Sequence, residues 1–281
     1  MKPLSPLIVE PVVRAALLED LGRAGDITTD TVVPAARRAA VRLTARDAGV
    51  VAGTDLAAAA FRLVDPAVAV EVTLPDGARV RPGDVVATVS GPARAILTAE
   101  RVALNFLGHL SGVATATAQI ADAVAHTATR VTCTRKTTPG LRALEKHAVV
   151  AGGGVNHRFG LDDAVLIKDN HIALAGGVRQ AIAGARAGVG HLVKIEVEVD
   201  TLDQLREVLT DPVDAVLLDN MAPEALREAV ELVAGRMVTE ASGRLTVATA
   251  PVVAATGVDL MSAGWITHSA PVLDVGLDVA D

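Results

Sequence analysis

The chain has 281 residues, 51% of them apolar and 21% charged, with a formal net charge of -7; that length suits two domains or one large α/β domain with a full core. An acidic chain with 1% aromatic residues and no tyrosine lacks the basic, aromatic surface that nucleic acids require. A single cysteine, Cys133, excludes an intrachain disulfide and a cysteine-based metal cluster.

The first stretch carries apolar residues at helical spacing (Leu7, Ile8, Val12, Ala15, Ala16, Leu18) and predicts a helix ending near Gly22. Glu10, Arg14, Glu19 and Asp20 interrupt it, so it does not read as a signal peptide. No later run of 18 apolar residues offers a membrane span, and the cytoplasm is the expected location. A turn-rich GDITTD follows at 25–30; residues 39–53 alternate in part like a strand pair, and Asp55 to Leu63 reads as a helix. Pro75-Asp76-Gly77 marks a turn between the strands VAVEVTL and ARVRPGDVVATVS. A biotin or lipoate carrier module shares such turns, but no lysine lies between Lys2 and Lys136 to be modified. From Ala93 to Ala125 the period is helical again, softened at Gly108 and Gly112, and Arg101 on it reads as an ordinary surface arginine.

The second half has a rhythm. Six apolar runs each end in polar or small residues: before Arg135-Lys136, Lys168-Asp169-Asn170, Asp200, Asp219-Asn220, Ser242-Gly243 and Ser262-Ala263-Gly264. Helical patterns lie between them, at Pro139–Val150, Val178–Ala187, Leu202–Leu209, Pro223–Val233 and Val247–Ala255. The spacing of roughly 20 to 35 residues is that of a β-strand plus crossover helix, and near-continuous apolar strands indicate a parallel sheet covered on both faces. Polar groups at C-terminal strand ends point to a barrel with its active site there, with an open doubly wound sheet as the alternative. Pro251 inside the last helix costs about 3 kcal/mol unless it lies in the first turn or kinks the helix.

Residues 134–172 gather six Lys/Arg and three His against four acids in an otherwise acidic chain. A solvated basic face is the plain explanation. The placement of Arg135-Lys136 and Lys168 at strand ends favours an anionic small molecule instead. Collected by charge, the strand ends offer Arg135, Lys136, His157, Arg158 and Lys168 against Glu196, Glu198, Asp200 and Asp219, with a small corner at Ser242-Gly243 and Gly264. Glycine-containing strand ends late in a βα barrel bind phosphate through backbone amides. Paired carboxylates suit Mg2+ or ribose hydroxyls, and arginines suit carboxylates. The implied ligand is polyanionic. His157 also reads as a structural histidine, one of Glu196 and Glu198 as barrel lining, and the glycines 152–154 lack dinucleotide-site spacing.

The blocks GDITTD, ERVALNFLGHLSGVATAT, residues 134–172, EVEVD, LLDN, EASG and THS, in order along nearly the whole chain, resemble the quinolinate phosphoribosyltransferase family, the carboxylating nicotinate-nucleotide pyrophosphorylases. The resemblance implies an N-terminal α/β sandwich over 1–111 and a C-terminal incomplete, open six-stranded α/β barrel over 112–281, whose last residues pack back on the N-terminal domain. It implies transfer of phosphoribosyl from phosphoribosyl pyrophosphate (PRPP) to quinolinate with decarboxylation, Mg2+ as cofactor, and a homodimer in which Arg101 reaches the partner's quinolinate. On the same basis Arg135, His157, Arg158 and Lys168 hold the quinolinate carboxylates, Lys136 lies nearby for PRPP, and Thr134 is among the substrate-binding residues. Glu198 and Asp219 take the ribose hydroxyls and Mg2+, directly or through substrate and water. Ser242, Gly243, Ala263 and Gly264 hold the 5′-phosphate, flanked by Arg244 and Trp265, with His268 closing the face; Lys136, Lys168, Glu198 and Asp219 are the expected catalytic set. His147 replaces a usual tyrosine, and Arg244 and Trp265 also depart from the family pattern. Three alternatives stay open: a molybdenum-transport-associated paralogue, a Schiff-base aldolase using Lys168, and a non-catalytic metabolite-binding protein.

Overall fold

In the computed structural model, which describes residues 2–279, the chain begins with α1 (Pro6–Leu21), α2 (Ile27–Val32), β1 (Arg38–Ala45), β2 (Gly49–Val50) and α3 (Thr54–Val64). Next come β3 (Ala69–Val72), β4 (Arg79–Val80), β5 (Val85–Pro92), α4 (Ala93–Ala123), β6 (Arg130–Thr132) and α5 (Arg142–Ala151). The βα rhythm continues with β7 (Val165–Ile167), α6 (Asp169–Ala175), α7 (Val178–Gly188), β8 (Ile195–Val199), α8 (Leu202–Val208) and β9 (Ala215–Asp219). The last elements are α9 (Pro223–Val233), β10 (Val238–Ser242), α10 (Ala250–Ala254), β11 (Leu260–Ser262), α11 (Trp265–His268) and β12 (Val275–Val279). Two units result: Met1–Ala118 with Thr138–Gly153 and Thr267–Asp281, and Gln119–Thr137 with Gly154–Ile266.

The first unit is a four-stranded antiparallel sheet, in the order β12-β1-β5-β3, with helices that bury Val9, Val13 and Leu17 of α1 and Leu56, Ala60 and Phe61 of α3. Three local expectations are corrected. GDITTD is a helix start rather than a turn cluster: Asp26 caps α2 by accepting from the Thr29 N–H at 2.9 Å. Residues 39–53 contain two strands that do not pair with each other, since β1 joins β12 and β5 while β2 joins β4. Hydroxyls of α4 hold the β2 region instead, Thr115 accepting from Val50 N–H and Ser111 from Ala52 N–H, both at 2.9 Å. Finally, α4 runs unbroken for 31 residues through both glycines. They are there because the C-terminal chain crosses them: a Cβ on Gly112 would stand 2.1 Å from the Pro271 carbonyl oxygen, and one on Gly108 would stand 2.9 Å from that of Leu273.

The departure at position 147 has a structural role in this unit. His147 Nε2 lies 2.9 Å from Asp76, and both side chains are nine-tenths buried or close to it. Asp76 also accepts from the N–H groups of Gly53 and Thr54, each at 3.0 Å, and from the Thr54 hydroxyl at 2.7 Å. One carboxylate therefore ties the turn at residue 76 to the start of α3 and to α5. Burial pushes the Asp76 carboxyl up, but the donors from His147, Gly53 and Thr54 outweigh it and hold it below the usual carboxylate range.

The second unit has the α/β class and the six-stranded parallel sheet that the rhythm predicts. Its order is β6-β11-β10-β9-β8-β7, so β6 and β7 do not pair with each other and the barrel is open; beyond β11, β6 is bridged to Val155. Val197, Val199, Val216, Leu218 and Ala241 point from the strands into a core with Ile182, Leu205, Leu226 and Ala229 of α7, α8 and α9. Pro251 falls in the first turn of α10, where its missing N–H has no intrahelical partner to lose, so the expected penalty does not arise. Two short helices, α6 and α11, follow strand ends at positions where the sequence analysis names no helix. Their lengths of 7 and 4 residues are too short to carry a periodic signal.

Two stability outcomes follow from the first unit. Gly112→Ala gains about 1 kcal/mol of helix propensity but forces apart two backbones, so it should destabilise by about 2 kcal/mol net in denaturant unfolding; a stabilised variant would contradict the crossing. Asp76→Asn should cost about 1–3 kcal/mol at pH 7. Because the folded carboxyl titrates below its unfolded value, that contribution is complete above it and is lost as pH falls through the folded pKa. The gap between wild type and variant in urea unfolding should therefore begin to narrow below about pH 4 and close as pH passes below the folded pKa, and a gap that does not narrow as pH falls contradicts the cap.

Candidate active site

Strand register decides which side chains share the barrel interior. Thr132, Ser262, Ser242 and Asp219 lie in one row across β6, β11, β10 and β9. The row two residues earlier holds Glu240, Leu217 and Glu198. Strand alternation turns these, with Glu196, away from the valine-rich core face. Carboxylates from three neighbouring strands thus converge inside the barrel.

The cations face this acidic set. Lys168 follows β7 directly, its backbone N–H donates to His171 Nδ1 at 2.9 Å, and its ammonium is ion-paired with Glu198. Arg158 donates through Nη1 to the Ala164 carbonyl at 2.9 Å, but its Nε is buried without a hydrogen-bond partner. Arg135 Nε is buried in the same state. Among the described residues neither guanidinium has a carboxylate partner. Burial, and then the charge of Arg135, push Arg158 below the usual arginine range, against the pull of Asp163 and Glu196. Two partly buried cations that repel one another, each with an unused donor, form a site that gains from an anion. Asp163 accepts from the N–H groups of Phe159 at 2.7 Å and Gly160 at 2.9 Å, which closes the turn carrying Arg158.

His157 lies 2.9 Å from Glu196 and 3.8 Å from Glu240, and these three could bring ligand atoms within 4.8 Å of one another. Glu198 and Asp219 are hard oxygen donors on adjacent strands, held by Lys168 and by the Asn220 amide at 2.6 Å respectively. A pair of oxygen-donor carboxylates on adjacent strands is the kind of donor set that suits Mg2+. At the small corner, Gly243 adopts φ +115, and a Cβ there would stand 2.3 Å from the Asn220 side-chain oxygen. Arg244 follows at φ 42, so two consecutive residues at this strand end sit at positive φ. The Asn220 N–H donates to the Ser242 carbonyl at 2.8 Å, and the Ala263 N–H is used on the Thr132 carbonyl at 3.1 Å. Trp265 donates its indole N–H to the Leu245 carbonyl at 2.8 Å, tying it to the loop after Arg244.

Of the sequence-predicted residues, Thr134, Arg135, Lys136, His157, Arg158, Lys168, Glu198, Asp219, Ser242, Gly243, Arg244, Ala263, Gly264 and Trp265 belong to the second unit. Thr134 accepts from the Lys136 N–H at 2.9 Å, shaping the loop that presents the lysine. Arg101 and His268 belong to the first unit. Arg101 is exposed on α4 and makes no ion pair among the described residues; with Asn105 and His109 at four-residue spacing it lines a cavity of about 370 Å³ shared with Glu19 and Asp20 of α1. His268 is exposed, with Nδ1 2.6 Å from the Ser269 hydroxyl. Asn220 and Glu240 escaped the sequence reading as site residues. The available signals were that Asn220 directly follows a strand-end aspartate, and that Glu240 falls two residues before Ser242 on the same strand face.

Known proteins bear on this geometry directly. The family model described as quinolinate phosphoribosyl transferase, C-terminal domain, matches residues 113–278, and that of the N-terminal domain matches 26–111. A nicotinate-nucleotide pyrophosphorylase [carboxylating] of Mycobacterium leprae is 44% identical over 275 residues, covering 95% of each chain. A probable enzyme of the same name from Bacillus subtilis is 42% identical over 262 residues, covering 93% of this chain and 90% of the relative. The crystal structure of NadC from Streptococcus pyogenes superposes with a TM-score of 0.95 at 42% identity, covering 100% of both chains. The chain belongs to the quinolinate phosphoribosyl transferase family.

Proposed function

We propose that the chain transfers the phosphoribosyl group of PRPP to quinolinate and decarboxylates the product, giving nicotinate mononucleotide, CO2 and pyrophosphate. The observation that carries this reading is the Arg135–Arg158 pair, partly buried, mutually repelling and without a carboxylate partner. A dianionic ring with two adjacent carboxylates supplies the missing counter-charge. Names of relatives on both sides of the reaction, carboxylating pyrophosphorylase and decarboxylating phosphoribosyltransferase, support the same chemistry.

The chain's own residues then divide the work. Arg135 and Arg158 orient quinolinate by its carboxylates, with His157 beside them and Lys168 opposite. The pyridine nitrogen's electron pair forms the new bond to C1′ of the ribose, while the C1′–oxygen bond breaks and pyrophosphate leaves with the electron pair of that broken bond. Oxocarbenium character in this transition state is stabilised by Glu198 and Asp219 near the ribose, and Lys136 balances charge on the phosphates. The corner at Ser242, Gly243, Ala263 and Gly264, with Arg244 and Trp265 at its rim, holds the 5′-phosphate. Loss of CO2 from the carbon beside the new pyridinium leaves a carbanion that the ring charge stabilises, and a proton then completes the product. Mg2+ held near Glu198 and Asp219 would neutralise the pyrophosphate as it leaves. Lys168 serves as a cation here; its ion pair with Glu198 suits that role better than the neutral amine that a Schiff base requires. A homodimer in which Arg101 enters the partner's quinolinate site completes the proposal.

The test is release of CO2 and nicotinate mononucleotide from quinolinate and Mg-PRPP. Lys136→Ala and Glu198→Ala should each lower kcat at least about a hundredfold with unchanged far-ultraviolet circular dichroism; near-normal turnover in either refutes its role. Arg101→Ala and Lys168→Ala should each be inactive alone, and mixing them should recover up to about a quarter of wild-type activity through hybrid dimers with one intact site. No recovery, with subunit exchange demonstrated, refutes a shared site.

A further inference from the structure

The end of β10 carries a residue whose backbone does not suit its side chain. Arg244 has a φ of 42, in the left-handed region, which a long side chain enters against a steric cost and keeps only where its surroundings fix it. It is fixed from both sides. Before it, Gly243 at φ +115 lies against the Asn220 side chain, which leaves no room for a Cβ. After it, Leu245 is the one buried residue between Gly243 and Thr249, and its carbonyl accepts the Trp265 indole N–H at 2.8 Å. The bonds further along are local: the Thr249 hydroxyl accepts from the Thr246 N–H at 2.9 Å, and the Thr246 hydroxyl from the Thr249 N–H at 3.2 Å.

The indole bond also joins two strand ends. Trp265 directly follows Gly264, and β11 is the parallel neighbour of β10, with Ser262 in register with Ser242. The two glycine ends leave the sheet side by side, and Trp265 links the chain beyond one to the chain beyond the other. A phosphate held by main-chain N–H groups is bound more tightly where the loop that carries them is already ordered, because ordering it on binding costs affinity. We propose that Trp265 is a positioning residue: through the Leu245 carbonyl it holds Arg244 in its left-handed turn and so sets the corner for a phosphate monoester. It acts by its N–H rather than by its bulk, and it acts on the loop rather than on the ligand. The identity of the monoester as PRPP rests on the proposed function; the tie between Trp265 and Leu245 does not.

Two measurements test this. Trp265 is the single tryptophan of the chain, so its indole N–H gives one signal in a nitrogen-15–proton correlation spectrum. In the ligand-free protein that N–H should exchange with solvent at least about tenfold more slowly than free indole, and exchange as fast as free indole overturns the tie. Titration calorimetry with ribose 5-phosphate at pH 8 then separates the donor from the ring. Trp265→Phe keeps an aromatic ring without the donor and should bind about tenfold more weakly than wild type. Trp265→His gives up bulk but places a ring N–H at the same number of bonds from Cβ, and should bind within about threefold of wild type. Quinolinate affinity should be the same in all three proteins. A Phe variant that binds ribose 5-phosphate like wild type, a His variant as weak as the Phe variant or weaker, or an equal loss of quinolinate affinity overturns the positioning role. A wild type that binds quinolinate but no ribose 5-phosphate refutes the phosphate corner of the proposed function and the positioning role with it, and the indole exchange then decides the tie alone.

Discussion

Two guanidiniums partly out of water, close enough to repel and with no carboxylate on either, are the constraint from which the rest of the second unit can be understood. Such an arrangement is unfavourable in the free protein: each buried Nε forgoes a hydrogen bond, and the shared charge opposes folding. A fold keeps it only where a ligand offsets the cost, the usual relation between stability and a binding site. The acidic total charge sharpens the effect, since an anion finds one concentrated region of positive potential on an otherwise negative chain.

The barrel supplies the other half. Strand alternation sends Glu196, Glu198, Asp219 and Glu240 to one face and Val197, Val199, Val216, Leu218 and Ala241 to the other, so the hydrophobic core and the acidic interior come from the same three strands. The internal ion pair between Lys168 and Glu198 keeps one cation and one anion in reserve, each available to a ligand group of opposite sign. At the next strand end, the side chain of Asn220 fills the space over Gly243, holding a left-handed turn that a side chain at 243 would not permit. Glu196 in turn has His157 beside it at 2.9 Å.

Much of this was legible in the sequence because it depends on period and position. The six strands of the second unit end where apolar runs meet polar residues, and the strand-end charges are the ones gathered in the barrel. Legibility failed where a distant segment decides the local outcome. Gly108 and Gly112 look like helix breakers, but they mark the crossing of residues 271–273, far away in the chain. The β2 segment looks like the partner of β1 but is held by Ser111 and Thr115. His147 reads only as a departure from a pattern until Asp76 appears beside it. In the same way, no spacing rule gives the hydrogen bond from Arg158 N–H to its own neighbour's ring.

The central claim is that an uncompensated pair of cations selects a ligand bearing two adjacent carboxylates. Titration calorimetry of the wild-type protein with quinolinate and, separately, with nicotinate addresses it most directly, because the two ligands differ by one carboxylate on the same ring. Quinolinate should bind at least about a hundredfold more tightly, since nicotinate leaves a buried guanidinium without its partner. Equal affinity for the two would contradict the account.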